Sequence, residues 1–215
     1  KNADNFLDAP QKKQLNIMQR FHYYALKWEG QVNVHGILDQ RNGGQMKHPS
    51  PDHTENLLSY DHNQKRLEIF GNIGFIGFKD PGRSIGFQWH LQRHDYDATY
   101  ARIANGKDQS YYTNLIYQEK FGSEKHTLMS GLSMRRSVTE EGFSDLIFNR
   151  NEFIPGVFSE YSLNADVTDS KFGYTLGMRL DQYGPYGVRA TPRFSARLQV
   201  EDYGTLRASA GRAYR

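Results

Sequence analysis

Apolar and polar residues alternate along many segments of this chain, most regularly in SIGFQWHLQRH, residues 84–94. Within it, Ile, Phe, Trp and Leu at odd positions alternate with Gly, Gln and His at even positions. A period of two places the two sets on opposite faces of a β-strand. In a soluble sandwich the apolar face packs into a core. In an outer-membrane barrel the apolar face contacts lipid, and the polar face lines a wet lumen.

Ten segments are predicted to be β-strands, and no segment shows a convincing helical period. The predicted strands are 13–25, 30–41, 66–78, 84–95, 108–119, 126–137, 154–165, 171–182, 189–200 and 204–214. Alternation is clean in 30–41, 171–182 and 189–200, and it is poor in 66–78. The sequence therefore predicts an all-β fold, and we expect the strands to pair antiparallel.

The predicted connections follow a rhythm of short and long segments. Short connections fall at 26–29, 79–83, 120–125, 166–170 and 201–203. Long connections fall at 42–65, 96–107 and 138–153, and the brief segment 183–188 breaks the rhythm. Outer-membrane barrels have tight periplasmic turns and longer extracellular loops. The rhythm favours such a barrel, with the long connections on the extracellular side.

Composition excludes several classes of protein. A net charge of +3 without a long basic run gives no reason to expect a nucleic-acid partner. The chain contains no Cys, which excludes disulfides and thiol chemistry. No apolar run approaches the roughly 18 residues of a membrane helix. Since no catalytic or nucleotide-binding motif is present either, we expect that the protein is not an enzyme.

Eight phrases resemble, in order, strands of the TonB-dependent outer-membrane receptor family. The more telling four lie in the final third: FIPGVFSEYSL (153–163), YTLGMRLDQYGPYG (174–187), ATPRFSARL (190–198) and TLRASAGRAYR (205–215). The earlier four are DNFLDAP (4–10), RNGGQM (41–46), RLEIFGNIGF (66–75) and QSYYTNLIYQ (109–118). The resemblance covers nearly the whole chain.

The resemblance implies that residues 1–215 form an antiparallel transmembrane β-barrel segment, about ten strands of a 22-stranded barrel. Such a receptor lies in the outer membrane of a Gram-negative bacterium and imports a scarce nutrient. Ferric siderophore, haem, cobalamin, another metal chelate, a glycan and a peptide are the candidate cargoes. The chain opens without Met and closes in mid-pattern, so we expect the plug domain and the C-terminal strands to lie outside it.

The resemblance also implies partners. They are outer-membrane lipid, the receptor's own plug domain and, through the plug, the TonB–ExbB–ExbD complex; a surface lipoprotein is a further candidate. Two rival interpretations stay open at this point. One is a passive or secretion-linked outer-membrane barrel, and the other is a soluble, surface-exposed β-sandwich that binds carbohydrate or protein.

Charged and polar side chains on the predicted lumen faces are candidates for contact with plug or ligand. They are Arg135, Arg179, Asp181, Arg193, Arg197, Arg207 and His90. Arginine in a confined space needs carboxylate or phosphate partners. Plug carboxylates, an anionic cargo, and pairing within the barrel wall to Asp181 and Glu160 are the three alternatives.

Two further groups are candidate ligands. Met46, His48, His53 and His62 lie in or beside a predicted extracellular loop, where thioether and imidazole groups suit copper or haem iron. Asn2, Asp4 and Asp8 alternate like part of a calcium loop, which makes Ca²⁺ a candidate cofactor. The alternatives are solvated polar loop residues for the first group and an Asx-rich turn for the second.

Overall fold

The computed structural model describes residues 9–44, 59–99, 102–122, 125–167, 170–200 and 203–214. Ten strands occupy most of these ranges. They are β1 (Gln11–Tyr24), β2 (Trp28–Gly44), β3 (Ser59–Phe75), β4 (Arg83–Thr99), β5 (Ile103–Phe121), β6 (His126–Phe143), β7 (Leu146–Val167), β8 (Ser170–Gln182), β9 (Val188–Val200) and β10 (Gly204–Gly211). All ten predicted strands are confirmed.

The strands form one antiparallel sheet in the order β1 to β10, so that every strand pairs with its neighbours in sequence. The predicted all-β, antiparallel fold is confirmed. The sheet is not closed within the described residues, since β1 and β10 each pair on one side only. Apart from the strands, the described part of the chain has a single 3₁₀ turn, Gly184–Tyr186. None of its helices is long and apolar enough to cross a membrane.

Connections fall alternately at two ends of the sheet. We call the end that carries residues 25–27 and 76–82 the turn end, and the end that carries residues 144–145 and 183–187 the tip end. The predicted short connection at 79–83 overlaps the seven-residue segment 76–82 between β3 and β4, and Arg83 is the first residue of β4.

Two of the three predicted long loops are wrong. Segment 96–107 is mostly strand, because β4 continues to Thr99 and β5 begins at Ile103. Segment 138–153 is also strand, interrupted by a two-residue turn in which Ser144 has a φ of 53°. Polar and apolar residues are mixed on both faces near these tips, as where Ile147 and Phe148 lie on opposite faces, so the alternation in hydropathy disappears while the backbone ladder continues. Opposite charges face each other there instead, as where Lys107 pairs with Glu140.

The third long connection is shorter than predicted, because β2 extends to Gly44 and β3 starts at Ser59. Residues 45–58 between them lie outside the described part of the chain.

The sheet has little hydrophobic core. Ala98 and Ile154 are the buried apolar residues of the described chain, whereas many large apolar side chains are more than one-third exposed. The buried set is mostly polar, and Asn33 and Asp39 are fully buried. Burial in this single-layer sheet therefore favours polar residues, the reverse of a soluble domain.

Candidate functional site

One face of the sheet carries most of the large apolar side chains. Cα partners in an antiparallel ladder share a face, so a line of partners across the sheet identifies that face. We call such a line a row. One row consists of Tyr23, Gly30, Ile73, Phe87, Leu115, Leu132, Val157 and Leu180. This row defines the apolar face, and no other described part of the chain covers it.

The segment 84–94 takes its predicted position on this sheet. Ile85, Phe87, Trp89 and Leu91 all lie on the apolar face, with His90 on the opposite one. Trp89 covers Gly71 of β3, where an added Cβ would lie 2.7 Å from the indole ring. The prediction that the two faces differ in polarity is confirmed for this strand.

The apolar residues form a band with charged borders. On β4 the band is Ile85–Leu91, and Arg83 and Arg93 follow it on the same face at its two ends. On β1 it is Leu15–Tyr23 and on β8 it is Phe172–Leu180. The nine-residue bands of β1 and β8 agree with the roughly 9–11 residues that a tilted strand needs to cross a bilayer, and the β4 band is seven residues long between its two arginines.

The band runs obliquely across the sheet. Tyr23, its last residue at the turn end of β1, shares a row with Leu180, its last residue at the tip end of β8. The band has therefore shifted by about eight residues over about seven strand-to-strand steps. At about 3.3 Å per residue and 4.8 Å per strand, this shift corresponds to a strand tilt of about 38°. Closed membrane barrels have tilts of roughly 35–45°.

Aromatic rings mark the turn end of the band. Trp28 and Phe75 lie 4.7 Å apart between ring centroids, and Phe75 and Phe78 lie 5.0 Å apart. A second chain of ring contacts links Phe121, His126, Tyr161, Tyr174 and Phe172 across β5 to β8. Amphipathic rings favour the boundary between water and hydrocarbon.

The opposite face is polar, and we call it the polar face. The sheet register places every predicted lumen residue on it: Arg135, Arg179, Asp181, Arg193, Arg197, Arg207 and His90. The polar face also holds Asn33 and Asp39, the two fully buried side chains. Carboxylates, amides and guanidinium groups on this face bond to one another across strands.

The first network on the polar face centres on Glu68 of β3. Its carboxylate lies 2.8 Å from Nδ1 of His35 and accepts a hydrogen bond from Arg66 at 2.5 Å, while His90 lies 3.5 Å away. His35 also contacts Asn16 of β1 through Nε2 at 2.9 Å. Four strands are thus joined through one carboxylate that is nearly buried.

Sequence reasoning missed this network. Phe70 and Gly71 disturb the alternation in the 66–78 segment, so the face of Glu68 was not clear from the sequence. The predicted lumen arginines, such as Arg179 and Arg193, lie on later strands and did not draw attention to His35 and Glu68. The signal that was present is the period-two spacing of Arg66 and Glu68, which the register places opposite Ile37 and His35.

The second network joins Arg179, Asp181 and Ser133. Arg179 donates two hydrogen bonds to the Asp181 carboxylate and one to the Ser133 hydroxyl, all at 2.7 Å. Ser133 is two strands away from Arg179, and the chain between them has a glycine, Gly156. A Cβ at Gly156 would lie 2.1 Å from the Asp181 carboxylate. The glycine therefore leaves the space through which the ion pair crosses β7.

The arginines divide into paired and unpaired groups. Arg193 crosses Gly177 and pairs with Glu160 of β7, so the sequence-predicted partners Asp181 and Glu160 each hold one arginine. Arg197 bonds only to Gln199, at 2.7 Å, although Arg207 lies directly opposite it as its Cα partner. Arg207 and Arg135 have no polar partner among the described residues.

The predicted metal-ligand candidates are not brought together. Met46, His48, His53, Asn2, Asp4 and Asp8 lie outside the described residues. The predicted loop position of His62 is wrong, because it lies in β3, where its ring is 6.5 Å from that of Tyr60. Within the described ranges, no cluster of three or more His, Asp or Glu residues is arranged to hold a metal ion.

Comparison with known proteins leaves the family open: no family model matches the chain, and no curated protein matches it significantly. The function of the chain is therefore inferred from the two faces of the sheet.

We expect Asp181→Asn to lower the free energy of unfolding by about 1.5–3 kcal/mol, because Arg179 loses its charged partner at a side chain that is only 8% exposed. Urea titration of the full-length protein measures this change. Glu152→Gln is the matched control, since its 3.9 Å pair with Arg150 is well exposed and should contribute about 0–1 kcal/mol. Equal effects of the two substitutions would contradict the importance assigned to the second network.

Proposed function

We propose that this chain is part of the transmembrane barrel of an outer-membrane receptor that imports a scarce nutrient with energy supplied through TonB. The observation that carries the membrane part of the proposal is the tilted apolar band. A single-layer sheet with an uncovered apolar face needs an apolar environment outside the chain, and hydrocarbon supplies it along the whole band.

The tilt argues against a soluble sandwich. Two soluble sheets pack with strand directions about 30° apart, and each inner face is covered by the other sheet. Nothing in that arrangement requires the apolar positions to shift steadily from strand to strand. In a barrel the shift is required, because tilted strands must keep their apolar residues at one membrane depth.

The polar face supports the receptor interpretation over a passive channel. Arg179 and Arg193 are held by wall carboxylates, so they belong to the barrel wall. Arg197 and Arg207 stand directly opposite each other, where like charges repel. A carboxylate from a plug domain inside the barrel, or an anionic cargo, would relieve that repulsion. The resemblance of the phrases in the final third to TonB-dependent receptors favours the plug.

We expect Leu176→Arg to destabilise the barrel by about 2–4 kcal/mol, because Leu176 lies at the middle of the band on β8 and is half exposed on the apolar face. Ser195→Arg is the control, since Ser195 lies on the polar face of the adjacent strand. Urea unfolding of the full-length protein in vesicles measures both. A larger effect at Ser195 would invert the assignment of the faces.

The two ends of the sheet should lie on opposite sides of the membrane. Asp145 lies in the turn between β6 and β7 at the tip end, and Lys79 lies in the connection at the turn end; both are exposed. With the tip end outside, a membrane-impermeant maleimide should label Asp145→Cys on intact cells and label Lys79→Cys only after lysis. The chain has no Cys of its own to interfere. Labelling of Lys79→Cys alone on intact cells would show the opposite orientation.

Uptake measurements test the transport part. Cells that make the full-length protein should accumulate one labelled cargo class from a panel of ferric siderophore, haem, cobalamin, glycan and peptide, and deletion of TonB should abolish that uptake. Unselective uptake of small solutes that persists without TonB would instead establish a passive barrel.

A further inference from the structure

The two borders of the apolar band differ in charge. At the turn end, Arg83 is neutralised by hydrogen bonds to Glu119 at 2.7 and 2.9 Å and lies 3.7 Å from Asp80. At the tip end, four basic residues follow the border on the apolar face. They are Lys13 of β1, Lys65 of β3, Arg93 of β4 and Arg136 of β6.

The four basic residues keep to the slope of the band. Each lies two residues nearer the turn end than the one before it, as the strand register shows. They therefore follow a line at nearly constant depth if the strands are tilted as in a barrel. Basic side chains on such a line lie at the level of lipid headgroups, with their stems along hydrocarbon.

Most of this positive charge is not neutralised within the described chain. Lys13, Lys65 and Arg136 have no ion-pair or hydrogen-bond partner among the described residues. Arg93 donates from Nε to Asp95 at 3.0 Å, which leaves its two Nη groups without a partner, and its side chain is 59% exposed. Asp95 thus orients the Arg93 guanidinium while using only one of its nitrogens.

An apolar groove of about 330 Å³ lies next to two of these residues. Its apolar lining comes from Leu15, Ile17, Gly36, Ile37, Leu38 and Leu67. Lys65, Arg66, Arg93 and the Asp95 carboxylate complete the lining, so three cations and one anion border the groove. The groove exists because β2 has no side chain at Gly36, where an added Cβ would meet no atom within 4 Å. A concave apolar surface whose charged lining stays net positive after Asp95 is counted matches the polarity of an anionic amphiphile.

We propose that this groove is a binding site for one acyl chain of a membrane lipid whose phosphorylated headgroup is held by Lys65 and Arg93. The guanidinium Nη groups and the lysine ammonium would donate charge-assisted hydrogen bonds to the phosphate. The site rests on the proposed function, since the groove must face lipid. With the tip end outside, the phosphorylated lipid at this depth is the lipid A portion of lipopolysaccharide.

Titration of the detergent-purified full-length protein with diphosphoryl lipid A, read by native mass spectrometry, tests the site. Lys65→Gln combined with Arg93→Gln should weaken binding by about tenfold or more, because two charge-assisted contacts are lost. Arg83→Gln, at the neutral border, should bind like the parent protein. Fully dephosphorylated lipid A should bind the parent as weakly as diphosphoryl lipid A binds the double variant.

A substitution in the groove separates the acyl chain from the headgroup. Gly36→Leu places a side chain in the groove, where its Cβ meets no atom within 4 Å, and should weaken binding of diphosphoryl lipid A although Lys65 and Arg93 remain. Inorganic phosphate serves as the second probe and should compete poorly. If phosphate alone binds the parent as tightly as lipid A, or if Gly36→Leu has no effect, the groove does not hold an acyl chain and the inference is overturned.

The same preparations separate this inference from the proposed function. Insertion of each variant into vesicles is measured alongside binding. Failure of the parent protein to insert would overturn the membrane proposal itself. Normal insertion, with equal lipid A binding by parent and double variant, would overturn only the lipid site.

Discussion

The hydrogen-bond register between neighbouring strands is the constraint on which every other feature of this sheet depends. Side chains alternate strictly between faces, so a slip of one residue in any strand would exchange its apolar and polar sets. The ten strands keep one register from β1 to β10, which makes the apolar face continuous and aligns the polar partners. The uncovered apolar face, the network around Glu68 and the crossing ion pairs all follow from this alignment.

Glycine allows the polar face to be joined over more than one strand. Arg179 with Asp181 crosses β7 at Gly156, Arg193 crosses β8 at Gly177, and Tyr96 crosses β5 at Gly106 to reach Glu141. Each crossing links strands that share no backbone hydrogen bonds. A sheet without a second layer gains lateral stiffness from such contacts, which elsewhere a hydrophobic core would provide.

Much of this architecture could be predicted from the sequence, because alternation with a period of two identifies strands and their faces in the middle of the chain. The strand tips could not be predicted, because the alternation in hydropathy is lost around residues such as Lys107 and Glu140. Only the pairing of these residues across strands shows that the segments are β-strand. The partners of Arg179 and Arg193 could be predicted, because Asp181 is two residues from Arg179 on the same strand and Glu160 lies on the polar face two strands from Arg193. The network around Glu68 depends on the register of the four strands β1 to β4, and a single sequence does not contain that information.

The strict neighbour-to-neighbour order of the strands limits how a sheet of this kind can gain or lose strands. Chain direction reverses at every strand, so the gain or loss of a single strand would move all later connections to the opposite end of the sheet. A hairpin is therefore the smallest piece that can be added or removed without disturbing sidedness. Each added hairpin also continues the same oblique shift of about one residue per strand. Sheets with different numbers of strands can therefore share one strand tilt and one width of the apolar band.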